Sequence, residues 1–266
     1  MSNVAIDLSG KSALVTGSSS GIGLEIARKL AQSGCHLMLH GIDSPEQMEL
    51  ARKEMSVAGA VSVGASHADL SDKSQAARLV ADTLTDLRSI DILVNNAGIQ
   101  HVAPVDEFSD EHWDKIIEVN LSASFRLIRH VLPVMRKGGW GRIINIASVH
   151  GLVASKYKGA YVAAKHGLVG LTKTVALETA EDPVTCNALC PGYVRTPLVE
   201  AQIDAKAGEL GCTLEEAANA LLQEKQPSLN FIETAQVASM VAYLCSDACD
   251  EVTGSAMTID GAWSAQ

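Results

Sequence analysis

Tyr161 and Lys165 stand four residues apart, and Ser148 lies thirteen positions before the tyrosine, at the end of the apolar run Arg142-Ile-Ile-Asn-Ile-Ala-Ser148. A phenol ionises near pH ~10, so it is a poor acid or base at neutrality unless its anion is stabilised. On a helix, residues four apart share a face, and the Lys165 ammonium would there stand beside the phenol and favour the phenolate. Ser148, delivered from the preceding strand, would hydrogen-bond the same substrate oxygen and share the charge that develops on it. The chemistry of such a set is proton transfer at an oxygen. Four donors surround it in the sequence. Gln100 follows an Asn-Asn-Ala-Gly turn, and His150 comes two residues after Ser148, so on an extended segment it points the same way. Lys158 forms an i, i+3, i+7 series with Tyr161 and Lys165 if the helix begins that early, and Gln202 opens a later helical stretch. Together they suit a carboxylate.

Elements that would position these residues follow from hydrophobic periodicity. Lys11 to Thr16 is a short apolar run ending in Gly17-Ser-Ser-Ser-Gly21-Ile-Gly23, after which Leu24, Ile26, Ala27, Leu30 and Ala31 recur at helical spacing. Strand, glycine turn and helix in that order let backbone N–H groups approach a pyrophosphate at a helix N-terminus. Further strands are expected at 36–40, 61–66, 91–95, 142–147, 184–189 and 256–259, with helices at 45–58, 74–87, 110–135, 161–180 and 234–245. The expected fold is α/β: a single Rossmann-type doubly wound parallel sheet of seven strands with helices on both faces, spanning 1–266. Residues 198–226 are Ala- and Glu-rich, with Gly208 and Gly211 as hinge candidates, and are read as a small helical lid over the site. Asn95 to Gly98 opens at the C-terminal end of a buried strand, where such sheets bind ligands, and Asn95 and Asn96 also suit turn formation. Pro191-Gly192 marks a second turn over that site. On periodicity alone, Asn120 reads as a surface residue within the long helix.

Between Lys29 and Arg52 there is no lysine or arginine, and the glycine turn carries three serines. A 2′-phosphate would find no cationic partner there, which favours NAD over NADP. The formal net charge of −10 argues against nucleic-acid and anionic-membrane partners, and no apolar run approaches the ~18 residues that span a bilayer. The start, MSNVAIDLSGK, lacks a basic region followed by an apolar one, so a cytoplasmic location is expected. Six cysteines without a C-x-x-C are expected to be reduced and mostly buried, and no metal site is expected.

Thr16-Gly-x-x-x-Gly-Ile-Gly23, Asn95-Asn-Ala-Gly98, Ser148 and Tyr161-x-x-x-Lys165 together resemble the short-chain dehydrogenase/reductase family over nearly the whole chain. The resemblance implies an oxidoreductase in which a nicotinamide passes hydride while Asn120, Ser148, Tyr161 and Lys165 manage the proton. Asn120 would then sit at a local helix break whose backbone carbonyl holds a water on a path to Lys165. The implied cofactor contacts are Gly17, Ser19, Ser20, Gly21, Ile22, Gly23, Asp69, Leu70, Asn96, Ala97, Gly98, Tyr161, Lys165, Pro191, Gly192, Val194 and Thr196. Asp69 would meet the adenine, Lys165 the ribose and Thr196 the carboxamide. In place of the family's usual acid after the second strand stands Gly41, with Asp43 slightly late.

Within the family, Gly98-Ile-Gln-His-Val-Ala-Pro104, Lys158-x-Ala-Tyr-Val-Ala-Ala-Lys-His-Gly167, Thr196-Pro-Leu-Val-Glu-Ala-Gln-Ile203 and the terminal Asp-Gly-x-Trp263 resemble the bacterial enzymes acting on D-3-hydroxybutyrate. That implies Gln100, His150, Lys158 and Gln202 on the substrate carboxylate, Ser148 and Tyr161 on the reacting oxygen, and Tyr193 and Trp263 around the methyl end. Tyr193 stands where tryptophan is common, which leaves chain length open. A homotetramer is implied too. The rival readings are a 3-oxoacyl reductase and a catalytically silent NAD-binding regulator.

Overall fold

The computed structural model describes residues 6–265; Met1–Ala5 at the expected leaderless start and Gln266 at the end of the tail lie outside the described residues. Seven parallel strands form one sheet in the order β3-β2-β1-β4-β5-β6-β7: β1 Ser12–Val15, β2 His36–His40, β3 Val63–Ser66, β4 Ile92–Asn95, β5 Gly141–Ile146, β6 Val184–Pro191 and β7 Ala256–Ile259. Alternate residues of the central strands enter two different cores. Ala13, Val15, Leu37, Leu39, Val94 and Ile144 join one, with Ile26 and Leu30 of α1 (Gly21–Gln32), Met48 and Met55 of α2 (Pro45–Ala58), and Val237 and Leu244 of α9 (Thr234–Cys245). Leu14, Met38, Leu93 and Ile143 join the other, with Leu79 of α3 (Gln75–Leu87), Val131 of α5 (Ala123–Gly138) and Val175 of α6 (Gly159–Glu178). A strand buried on both faces needs apolar residues at every position, which is why these segments read as continuous apolar runs.

The chain travels outward from β1 through β2 to β3, then returns to β4 on the other side of β1. At this reversal the loops after β1 and β4 diverge and leave a crevice beyond the strand ends. Those loops are the glycine turn and Asn96–Gly98. The loops after β5 and β6 bring Ser148 and Gly192 to the same edge.

Three departures from the expected elements bear on the site. The long helix is broken: α4 (Asp110–Ile117) and α5 are joined by a π-turn, Glu118–Ser122, and Asn120 within it is buried, not surface-exposed. Helix α6 begins at Gly159, so Lys158 occupies its N-cap with non-helical backbone and the expected i, i+3, i+7 face does not form. The segment expected as a lid is two helices, α7 (Pro197–Leu210) and α8 (Leu214–Lys225), and the break lies at Gly211, whose φ of 64° ends α7, while Gly208 is inside the helix. Thr213 and Glu216 cap α8 reciprocally, which fixes its start two residues after that break. Val199, Ile203, Ala217 and Leu221 of these two helices cluster with Tyr193 and Trp263.

Candidate active site

The glycine turn is held by a clamp between β1 and β4. Thr16 Oγ1 accepts hydrogen bonds from Asn96 N and Ala97 N at 2.9 and 3.0 Å, and Asn96 Nδ2 donates to the carbonyls of Thr16 and Gly17 at 2.9 and 3.0 Å. Gly17 adopts φ 61°, and a Cβ there would stand 3.0 Å from Ala97 Cα. Gly23 lies beneath the turn: a Cβ would overlap the Gly17 carbonyl oxygen, so this glycine permits close packing and does not face the cleft. Ser20, the N-cap of α1, makes no side-chain capping bond, and the first turn holds no acid. Its N–H groups and helix dipole thus remain available to an anion.

Two cavities flank the turn. One, of ≈ 290 Å³, is lined by Gly17, Ser19, Ser20, Gly21, Ile22, Asn96, Ala97, Gly98, Ser148, Tyr161, Lys165, Pro191, Gly192, Val194 and Thr196 among others. The second, of ≈ 400 Å³, shares Gly17, Ser19, Ala97 and Gly98 with it and adds Asp69 and Leu70. The sequence-predicted cofactor residues are therefore gathered on one crevice, Gly23 excepted. A channel with bare glycine backbone, a helix N-terminus at its middle and an apolar floor fits a dinucleotide. Asn95 plays no part in the turn: buried in β4, it donates Nδ2 to Asn145 Oδ1 at 2.8 Å.

Ser148, Tyr161 and Lys165 converge at one end. Ser148 caps a short 3₁₀ turn, Val149–Gly151, and its Oγ accepts from His150 N at 3.1 Å. Its hydroxyl also bonds the Tyr161 phenol, which lowers the phenol's pKa, but burial acts more strongly and leaves Tyr161 above its ordinary value. Lys165, expected to depress that pKa, contributes nothing resolvable to it: its Nζ lies 5.6 Å from the phenol ring centroid and donates to Ile146 O at 2.7 Å. Burial lowers Lys165 itself to about 8. Both side-chain polar atoms of Asn120 are spent on Ile99, which donates N–H to Oδ1 at 2.8 Å and accepts from Nδ2 at 2.9 Å. Any part of Asn120 in proton movement therefore falls to its backbone.

Gln100, Lys158, Tyr193 and Gln202 line a third cavity of ≈ 780 Å³, which meets the first at Leu198. Lys158 Nζ donates to Gln202 Oε1 at 2.8 Å, joining the start of α6 to α7. Burial, and then the Lys225 cation, bring Lys158 down to about 8. Gln100 Nε2 is buried with no hydrogen-bond partner. His150 stands apart. The 3₁₀ turn removes the extended geometry expected after Ser148, and the ring bonds Ser155 Oγ at 2.9 Å and lines neither cavity. Burial, then the Lys158 charge, press its pKa to about 3, so it is neutral. It lies edge-on between Tyr161 and Trp263, at 5.9 and 5.3 Å, and Trp263 leans on Tyr193 at 4.9 Å. Trp263 thus supports the wall that Tyr193 presents.

Sequence reading missed two contacts at the crevice. Asp43 folds back to accept a hydrogen bond from Ser19 Oγ, over the bare face of Gly41, where a Cβ would meet the same serine at 2.8 Å. His40, the last residue of β2, reaches the turn from below and lines the second cavity. Both pair residues more than twenty positions apart, and no local spacing signals them.

A doubly wound sheet with a glycine cradle at its switch point and a Ser-Tyr-Lys cluster beside it defines an oxidoreductase of the nicotinamide-dependent class. The chain belongs to the short-chain dehydrogenase family, whose model matches residues 11–207. Among curated relatives, it is 50% identical over 256 residues to a D-beta-hydroxybutyrate dehydrogenase of Rhizobium meliloti, covering 96% of this chain and 99% of the relative. It is 47% identical over 260 residues to the D-beta-hydroxybutyrate dehydrogenase of Cupriavidus necator, covering 97% and 100%. Among solved structures, the L-sorbose reductase of Gluconobacter frateurii, complexed with NADPH and L-sorbose, superposes with TM-score 0.94 at 29% identity, covering 99% of this chain and 100% of that one.

Proposed function

We propose that this chain is an NAD-dependent dehydrogenase that interconverts (R)-3-hydroxybutyrate and acetoacetate. The observation that carries the carboxylate is the presence of an orphan donor, Gln100 Nε2, and the Lys158 ammonium on one cavity, which meets at Leu198 the cavity that Tyr161 lines. A buried donor without a partner costs about 1–3 kcal/mol, and an acceptor-only group relieves that cost. In a protein of net charge −10, these residues supply local attraction that the whole molecule does not. Further support comes from the two relatives named for this substrate.

When bound, the nicotinamide accepts hydride from C3 of the alcohol. Tyr161, which burial keeps a neutral phenol in the free protein, gives its proton to the carbonyl oxygen in the reducing direction and takes it back in the oxidising one, and Ser148 donates to the same oxygen. The Ser148 Oγ already accepts from His150 N, so its hydrogen, given to the Tyr161 phenol in the free protein, is the one that turns toward that oxygen. Lys165 holds positive charge near the phenolate and the ribose, and the π-turn at Asn120 keeps a proton path to it. Lys158, Gln100 and Gln202 hold the carboxylate, and Tyr193, backed by Trp263, bounds the methyl end. His150 acts on the pocket through Ser148, whose Oγ lies 3.4 Å from its Nδ1, and through Tyr161 and Trp263.

Support for NAD over NADP is local. The Asp43 carboxylate beside Ser19 would repel a 2′-phosphate, and no lysine or arginine follows β2 before Arg52. We further read the chain as one domain whose α7–α8 pair is the lid, as a homotetramer, and as cytoplasmic. Exposed Trp113 and Phe125 offer apolar surface for assembly, and six free cysteines suit a reducing compartment. Sedimentation tests the assembly. The activity test is absorbance of NADH with (R)-3-hydroxybutyrate, against its (S) enantiomer and against a 3-oxoacyl thioester with NADPH. Turnover of the thioester alone would make the protein a 3-oxoacyl reductase, and cofactor binding without any turnover would make it a regulator.

A further inference from the structure

His40 is 3% exposed, ends β2, and makes hydrogen bonds from both ring nitrogens. Gly17 N donates to Nδ1 at 3.2 Å, and Nε2 faces the Ala68 carbonyl at 2.7 Å. An amide N–H only donates and a carbonyl only accepts, so the pair of partners fixes the tautomer: hydrogen on Nε2, lone pair on Nδ1. The backbone of the same residue completes the grip. Ser18 N donates to His40 O at 2.8 Å, and His40 N donates to Ser18 Oγ at 2.9 Å. The first two residues of the glycine turn therefore hang on the last residue of the neighbouring strand.

We propose that His40 is a positioning residue for the dinucleotide: while its main chain holds Ser18, its neutral ring fixes Gly17 in the conformation that receives the cofactor, and proton uptake at Nδ1 releases Gly17. An imidazolium would aim an N–H at the Gly17 N–H, donor against donor, and would leave a cation inside the sheet edge. Burial already holds the ring's pKa below its ordinary value, although the Ala68 carbonyl and the Asp69 carboxylate pull it up, while His67 pushes it down. Asp43 from the loop after β2, and His112 and Lys115 from α4, face the same cavity. Neutral His40 is the form that holds the turn, so cofactor affinity is full near neutrality and weakens only as pH falls through the ring's own pKa, which burial holds below the ordinary ~6.5.

The proposal rests on reading the crevice as the dinucleotide site and is independent of the substrate. NADH binding, followed by cofactor fluorescence without substrate between pH 8 and 5, is the measurement, with wild type, His40→Phe and His40→Asn. Phenylalanine removes the acceptor for Gly17, and NADH should bind about tenfold more weakly at pH 7.5, the size of a lost buried hydrogen bond. Asparagine retains an acceptor that does not titrate; this variant should bind within about threefold of wild type at pH 7.5 and lose most of the acid-side weakening. Should His40→Phe fail to fold, the pH profile of His40→Asn decides. Unchanged affinity in His40→Phe, or the same acid profile in His40→Asn as in wild type, overturns the proposal. Failure of the wild type to bind NADH at all would overturn it together with the NAD reading, whereas binding without turnover of the hydroxy acid would strike the substrate reading alone.

Discussion

The glycine turn and the substrate cavity sit side by side and are built on opposite plans. Backbone atoms and short side chains make the turn: Thr16, Asn96 and His40 fasten carbonyls and amides, and a methyl group at Gly23 has nowhere to go. Long side chains make the cavity. Lys158 reaches across to Gln202 on a separate helix, and the aromatic wall of Tyr193 leans on Trp263 from the far end of the chain. A backbone cradle suits a ligand that never changes, while a ring of side chains on a jointed lid can be retuned residue by residue without disturbing the sheet.

Four experiments would break or sharpen that contrast. The largest effect is expected for Tyr161→Phe, which should lower turnover by ~100-fold or more, the usual size for a lost acid/base group, while an NADH fluorescence titration stays near wild type. A rate within a few-fold of wild type would remove Tyr161 from the chemistry.

Next in size, Lys158→Ala should cut kcat/KM for 3-hydroxybutyrate by roughly ten- to a hundredfold through loss of a charge-assisted hydrogen bond. An uncharged secondary alcohol should lose far less. Equal losses for both would mean that the lysine acts only as the latch to Gln202.

On the turn's side of the contrast, kcat/KM should favour NAD over NADP by at least ~10-fold, because a buried phosphate without a cationic partner costs more than about 1.4 kcal/mol. Asp43→Ser should narrow the ratio by admitting NADP, which steady-state kinetics with both cofactors would reveal. Equal use of the two by the wild type would contradict the assignment.

The smallest effect concerns pH. Lys158 titrates at about 8 in the free protein, lowered first by burial and then by Lys225, so kcat/KM for the carboxylate substrate should fall about fivefold between pH 8 and 9. Bound carboxylate holds the proton on, so kcat should not show this limb. In Lys158→Arg, whose guanidinium does not titrate there, the limb should recede, leaving only what Lys165 contributes.

How far the chain could be read in advance follows the same division. The sheet was legible because a doubly covered strand must be apolar at each position, as Ile92 to Val94 are. Gly17 was legible as well, whereas Gly23, expected against the cofactor, serves instead to let the helix pack beneath the turn. Lys158 was misplaced by a single residue at a helix end, where one set of backbone angles decides the face. His150 went astray because a 3₁₀ turn and an extended strand look alike over three residues. Asn120 was hidden because periodicity assumes a constant number of residues per turn. The grip of His40 and Asp43 on the turn depends on strands meeting, which no local window contains.

That π-turn makes one stretch of this enzyme a matter of tally. Glu118–Ser122 stores an extra residue between α4 and α5, and each residue of an α-helix turns the chain by about 100°. The wider π-turn absorbs that residue without changing which way α4 faces, so deleting Val119 would restore ordinary winding, whereas deleting Ile117 from the regular turns of α4 would swing everything before it by that angle about the axis. Ile116, which now packs on Ala160 and Ala164 flanking Tyr161, would be carried off the catalytic helix. Substitutions along α4 change what a face is made of, whereas the loss or gain of one residue in its α-helical turns changes which face looks inward, so the π-turn is the one stretch between α4 and α5 where a single residue can be gained or lost with the faces kept.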